Sequence, residues 1–298
     1  MRSSSSLAPI AILGSGAVAQ ALGHVLLKGG APIVAVASRT PARAQQAAVF
    51  IGSPVRPVAW QDVPGLATRV LIATADAAIT SAAESLMVAG MHGGIALHTC
   101  GARGPEALEP LAGTSTACGV LHPLQTLPTP EQGVNRICGS AFALAGELRA
   151  VQWGAELIEM LDGRMLSIAS DQMPVYHAGA VMASNALTAV IDVAIQLLKR
   201  AGVDEVAAVD AIAPLSRAAL DSVLAVGPQR ALTGPIGRGD VETIEFHARA
   251  LSAVPPAIAA LYLAAGRSLV DIARRRGLPE ATLTALLAAL DTLTVEKA

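Results

Sequence analysis

Aromatic side chains are scarce in this chain: Phe, Trp and Tyr make up 2 % of its 298 residues, although 53 % of the residues are hydrophobic. The core must therefore be built from Ala, Leu, Val and Ile, which favours close-packed helices and buried parallel strands. Cysteine is also sparse. Cys100, Cys118 and Cys138 are odd in number and show no C-x-x-C spacing, which excludes a disulfide framework or a structural zinc site and fits reduced thiols in a cytoplasm. The 6 histidines include no H-x-x-x-H pair, so no metal is expected. Charged residues amount to 15 %, with a formal net charge of −2 and neither a basic stripe nor an acidic block. That balance speaks against a nucleic-acid partner and against an anionic membrane surface. The length predicts about two domains.

Two apolar stretches imitate membrane signals. The first combines Arg2, an apolar run and an A-x-A-like Ala17-Val18-Ala19, resembling a secretory leader. Gly14-Ser15-Gly16 interrupts it, however, and apolar periodicity continues into Leu26, so the reading is a cytoplasmic protein whose first strand lies here. The second, residues 173–198, is long enough to span a bilayer but carries His177, Asn185, Asp192 and Gln196 along its length. A helix buried in a core or in a dimer interface is expected instead. The serine run at residues 3–6 reads as a disordered terminus.

What is present is concentrated at the start. Residues 9–27 read P-I-A-I-L-G-S-G-A-V-A-Q-A-L-G-H-V-L-L, an apolar run, a glycine turn, then Val18, Ala21, Leu22, Val25 and Leu26 at helical spacing. A dinucleotide needs this strand, turn and helix, because its pyrophosphate sits on the free N–H groups at a helix N-terminus. Gly14 permits the turn, Gly16 lets backbone approach phosphate, and Ala19 takes the third position of the G-x-G-x-x-G/A pattern, with Ser15, Ala17 and Val18 completing the cradle. A second β-branched run, residues 31–40, ends in Ser38, Arg39 and Thr40, where an NAD-preferring protein would place Asp or Glu. Two hydroxyls and a guanidinium suit a 2′-phosphate, so the expected cofactor is NADP(H).

Further strands are expected near residues 69–73, 94–98 and 118–121, ending at Thr74, Thr99 and His122, with Asp76 starting a helix. Their alternation with helical segments predicts an α/β fold, a doubly wound parallel sheet of the Rossmann type, whose ligands bind beyond the carboxyl ends of the strands. Residues 137–144 and 164–168 read as two more strands flanking a helix. Beyond Ser170 strand signals stop, and one long helix over residues 173–201 opens an all-α domain. The expected division is 1–169 for dinucleotide binding and 170–298 for substrate and dimerisation.

Proton donors for hydride chemistry are few. His177 lies near the start of the long helix, with Ser184 on the same face and Asn185 adjacent, and imidazole is the side chain whose ordinary pKa suits proton transfer near neutrality. His122, in L-H-P-L-Q-T, is a second candidate donor, placed just before a proline expected to end its strand. The Gly- and Pro-rich loop over residues 231–240 offers Thr233 and Arg238 to a substrate, with Asp240 capping the next helix.

The set G-S-G-A-V-A at Gly14, H-T-C-G-A at His98, L-H-P-L-Q-T at Leu121, Y-H-A-G-A-V-M-A-S-N at Tyr176 and L-T-G-P-I-G-R-G-D at Leu232 resembles a bacterial family of Rossmann-like oxidoreductases with a helical domain of unknown function, related to pyrroline-5-carboxylate reductase and the β-hydroxyacid dehydrogenases. The resemblance covers nearly the whole chain. It implies NADP(H) binding by the first domain, a helical second domain that forms a homodimer, and a cleft between the two. The interdomain lysine of the β-hydroxyacid dehydrogenases has no counterpart here. The expected function is an NADPH-dependent reductase of a small C=O or C=N compound. The alternatives are a non-catalytic NADP(H) sensor or regulator and a deazaflavin-dependent NADP oxidoreductase.

Overall fold

The computed structural model describes residues 8–293, so the serine run at residues 3–6 lies outside the described residues. The chain divides into two compact units, Met1–Ser184 and Asn185–Ala298. In the first, β1 (Ile10–Leu13), α1 (Ala17–Lys28), β2 (Ile33–Ala37), α2 (Pro41–Ile51) and β3 (Arg56–Val58) lead through a 3-10 segment, Trp60–Gly65, to β4 (Arg69–Ile72). A short turn at Asp76–Ala78, α3 (Ile79–Val88), β5 (Ile95–His98) and a second 3-10 stretch, Pro105–Thr114, precede β6 (Ala117–Leu124). Then come α4 (Pro130–Ile137), β7 (Ala141–Gly146), α5 (Leu148–Met160), β8 (Arg164–Ser167) and α6 (Met173–Ala183).

The eight strands form one sheet in the order β3-β2-β1-β4-β5-β6-β7-β8. The chain reverses direction across the sheet between β3 and β4, leaving β1 flanked by β2 and β4, the switch point at which doubly wound sheets bind ligands. Period-two alternation builds a core on each face: Ile10 and Ile12 enter one with Leu22, Leu26 and Trp153, and Ala11 and Leu13 enter the other with Ile79, Leu86 and Leu111.

Four details depart from the sequence expectation. β6 and β7 pair antiparallel, so the sheet is mixed at that end. β6 also runs on through His122 and Pro123 to Leu124; its pairing with β5 stops at Val120, and a strand with a neighbour on one side tolerates proline. The strand expected over residues 137–144 begins only at Ala141, because residue 137 ends a helix over 130–137 started by Thr129, whose hydroxyl accepts from Gln132 N at 3.3 Å, and by Pro130 in the first turn. Asp76 does not cap α3, whose N-cap is Ala78.

The expected single helix over residues 173–201 is broken at Ser184, where φ is −126° and ψ −71°. Ser184 Oγ bonds back to the Ala180 carbonyl at 2.9 Å, a pairing that bends helices. The division into compact units falls there, beyond the Ala169 read from the sequence, because Met173 and Tyr176 on α6 pack with Val120, Ala143 and Ala145 of the sheet.

The second unit is wholly helical: α7 (Asn185–Arg200), α8 (Glu205–Val226), α9 (Pro228–Ala231), α10 (Gly234–Arg238), α11 (Val241–Leu251), α12 (Pro256–Arg276) and α13 (Glu280–Asp291). Ile236, Ile244, Val270, Leu283, Leu286 and Leu290 make its main core. Residues 227–240, expected to be a loop, hold α9 and α10, each opened by a proline in its first turn. α7 contributes no fully buried residue; its Leu197 packs partly against the core around Ala248 and Leu251, and much of the rest of its apolar surface is exposed. Two stretches, Ser170–Arg200 and Pro256–Arg276, are long and apolar enough to cross a membrane, with mean hydropathy 1.7 and 1.3. The first carries the break at Ser184 and an Asp192–Gln196 hydrogen bond of 2.6 Å.

Candidate functional site

The turn after β1 explains itself through its glycines. Gly14 has φ +128°, and a Cβ there would lie 2.1 Å from the Ala73 carbonyl oxygen, so the turn can approach the end of β4 only with glycine. Gly16 is different: it precedes α1 with ordinary backbone angles, and a Cβ there would meet nothing within 4 Å. Its lack of a side chain opens space in front of α1, which no side chain caps. That is the cradle a pyrophosphate requires. The turn is held by Gln20 Nε2, which donates to the Ser15 carbonyl at 2.8 Å, and Ser15 Oγ lies 3.0 Å from Ser38 Oγ at the end of β2.

A cavity of about 760 Å³ opens over this edge of the sheet. All of Gly14, Ser15, Gly16, Ala17, Val18, Ser38, Arg39, Thr40, Thr74 and Thr99, the residues singled out from the sequence for nucleotide binding, line it. Among the further liners, Arg43, Trp60 and Asp76 carry the charged and aromatic side chains that sequence reading did not assign to the site. Arg43 lies one helical turn beyond Arg39 and was legible in principle; Trp60, just past a three-residue strand, was not. Trp60 also borders a neighbouring cavity of about 570 Å³ that shares Ser38 and Arg39. The cleft thus has a small-residue end over α1 and a basic, aromatic end at Arg39, Arg43 and Trp60, dimensions and chemistry that suit a dinucleotide with a 2′-phosphate.

The loop after β5 connects this cleft to a cluster of rings. His98 is fully buried, its Nε2 donating to the Gly104 carbonyl at 2.9 Å while its Nδ1 accepts from Cys100 N at 3.2 Å. Burial, the largest effect, lowers its pKa, and the neutral ring pins residues 99–104. Thr99 of this loop faces the cavity, and two residues on a Cβ at Gly101 would fall 2.7 Å from His177 Cδ2 and 2.8 Å from His122 Nε2. The two histidine rings lie edge to face with centroids 5.8 Å apart. His122 Nδ1 is 2.9 Å from Tyr176 Oη. Burial foremost, then the neighbouring His177, pushes His122 down to about 4, while Asp76 opposes the shift. The structure therefore joins His122 to His177, as candidate donors, and adds Tyr176 and Gly101.

The remaining candidates fall at helix ends and on the second unit. Ser184 terminates α6 and Asn185 opens α7 in the second unit. There Thr233 precedes α10 and is exposed, and Arg238 forms an exposed 3.7 Å ion pair with Asp240. Asp240 caps α11 as expected, its Oδ1 accepting from Thr243 N at 3.1 Å. Among the described residues, no group of three His, Cys, Asp or Glu side chains is arranged to hold a metal ion.

Comparison with known proteins agrees with this geometry. Residues 9–96 match the family described as NADP oxidoreductase, coenzyme F420-dependent. Residues 140–269 match a domain of unknown function, DUF2520. A shikimate dehydrogenase (NADP(+)) from Jannaschia sp. is 39 % identical over 87 residues, only 29 % of this chain and 29 % of the dehydrogenase's own length. Three solved structures share the fold. A protein from Thermotoga maritima has a TM-score of 0.70 at 22 % identity, covering 89 % of this chain and 98 % of that one. An imine reductase from Pseudomonas sp. has a TM-score of 0.55 at 18 %, covering 95 % and 92 %. A pyrroline-5-carboxylate reductase from Coxiella burnetii has a TM-score of 0.55 at 14 %, covering 97 % and 98 %.

Proposed function

We propose that the protein is an NADPH-dependent reductase of a small compound carrying a C=O or C=N bond. The observation that carries this reading is the continuity of the site: Thr99 lines the cavity over the Gly14 turn, and the same loop brings Gly101 against His122 and His177. In this reading Gly14, Ser15, Gly16, Ala17 and Val18 hold the pyrophosphate, Ser38, Arg39 and Thr40 hold the 2′-phosphate, and Thr74 and Thr99 line the path toward the nicotinamide. When bound, NADPH supplies hydride. His177 supplies the proton to the reduced oxygen or nitrogen and His122 lies beside it. Ser184, on the same unit as His177, is the proposed contributor to acceptor binding. The experiment is NADPH oxidation across a panel of ketoacids, imines and cyclic imino acids. Turnover of one member is expected, and binding of NADPH without oxidation by any member would favour a sensor.

The family description of residues 9–96 favours a second reading, hydride exchange between NADP and a deazaflavin. Loss of the deazaflavin's visible absorbance on mixing with NADPH and protein, with the organic panel inert, would select it. We also propose that the protein is cytoplasmic and a homodimer through its helical unit. The support is the apolar surface on α7 and α8, where Leu187, Val190, Leu215, Leu220, Val223 and Leu224 are exposed.

A further inference from the structure

The bond between Tyr176 and His122 decides which nitrogen of the imidazole carries the hydrogen. Tyr176 Oη lies 2.9 Å from His122 Nδ1, with the rings edge to face at 83°. Burial raises the Tyr176 phenol to about 12 and lowers His122 to about 4, so near neutrality the phenol keeps its hydrogen and the imidazole is uncharged. A phenol is the stronger donor of the two and a bare imidazole nitrogen the stronger acceptor. The bond therefore runs from Tyr176 O–H to Nδ1, and the single imidazole hydrogen resides on Nε2.

Nε2 lies against Gly101, whose missing side chain lets its loop pack onto both histidine rings. A Cβ on Gly101 would lie 2.8 Å from His122 Nε2 and Cε1 and 2.7 Å from His177 Cδ2, closer than such atoms approach, and all three are ring atoms that cannot swing aside cheaply. Gly101 is buried, and its loop is pinned by the His98 hydrogen bonds to Gly104 and Cys100. We propose that Tyr176 is a positioning residue that locks His122 as the Nε2–H tautomer, making neutral His122 a fixed hydrogen-bond donor to a substrate's carbonyl oxygen or uncharged imine nitrogen. His122 then polarises the acceptor and is not itself the proton source, the arrangement in which preorganised donors act most strongly. The substrate half of this proposal rests on the reductase reading; the tautomer does not.

The test is long-range proton–nitrogen NMR of protein labelled at the histidine rings, with His122→Gln used to assign the His122 signals. At pH 7 the wild type is expected to show one His122 tautomer, protonated at Nε2 with Nδ1 accepting a hydrogen bond. In Tyr176→Phe both nitrogens should move toward the averaged values of an unanchored ring. A wild-type spectrum with hydrogen on Nδ1, or Nδ1 unmoved in Tyr176→Phe, would overturn the tautomer assignment. The wild-type spectrum decides even if the variant fails to fold, and neither spectrum depends on turnover. With any compound that the wild type reduces, Tyr176→Phe should lower kcat and leave the NADPH dissociation constant unchanged. An unaltered kcat would overturn the donor role alone.

Discussion

Arg39 and His122 carry the most specific expectations at the scale of single residues. Arg39 stands at the end of β2 on the wall of the nucleotide cavity, beside Ser38 and Thr40. If its guanidinium grips a 2′-phosphate, Arg39→Ala weakens NADPH by about 1.5 to 3 kcal/mol, the range of a charge-assisted hydrogen bond, and leaves NADH nearly unchanged. Titration of both nucleotides measures this, and equal losses would remove Arg39 from the phosphate site. His122 is held neutral by burial, with a folded pKa of about 4 against the 6.5 of an unburied imidazole. Between those values the unfolded chain binds the extra proton, so stability falls as pH drops from 6.5 toward 4 and the effect ceases once the folded ring also protonates. His98, lowered by burial in the same direction, adds to the decline. Urea unfolding at pH 7 and pH 5 should show a smaller acid loss in His122→Gln than in the wild type; an identical loss would mean that His122 is not the group titrating.

At the scale of elements, the two glycines of the β1–α1 turn separate folding from binding. Gly14→Ala forces a Cβ into the Ala73 carbonyl at a positive φ and should cost at least about 1–3 kcal/mol of stability. Gly16→Ala meets no protein atom within 4 Å, so it should unfold within about 0.5 kcal/mol of the wild type. It should nonetheless lose NADPH affinity tenfold or more. Thermal unfolding and nucleotide titration of the pair check this, and a Gly16→Ala protein with full affinity would contradict the cradle. This turn, β2 and the all-helical character of the second unit were legible because period and punctuation agree locally. The antiparallel register of β7, the run of β6 through Pro123 and the break at Ser184 were not, because each depends on a neighbour absent from the local pattern. The same distinction holds for the site. The cradle is contiguous in sequence, whereas Trp60, Tyr176 and Gly101 reach their places through β3, α6 and the pinned loop after β5.

At the scale of the whole molecule, the apolar faces of α7 and α8 require a cover that the unit's own core does not supply, since α8 buries only Ala208 and Ile212 and α7 buries no residue fully. A second copy of the chain is the proposed cover, and light scattering at micromolar concentration should give twice the 30.1 kDa of one chain. A monomeric mass would refute it. The central claim, that the cleft delivers hydride to a compound protonated beside His122 and His177, is tested most directly by following label. NADPH deuterated at the transferable position is mixed with excess protein and the panel of ketoacids and imines, and the products are read by mass spectrometry. Deuterium should appear in the reduced product of one panel member, and His177→Gln should slow its appearance by about 10² to 10⁴ while NADPH affinity stays at the wild-type value. Tight NADPH binding with no label in any product, or label arriving at an undiminished rate in His177→Gln, would contradict the account.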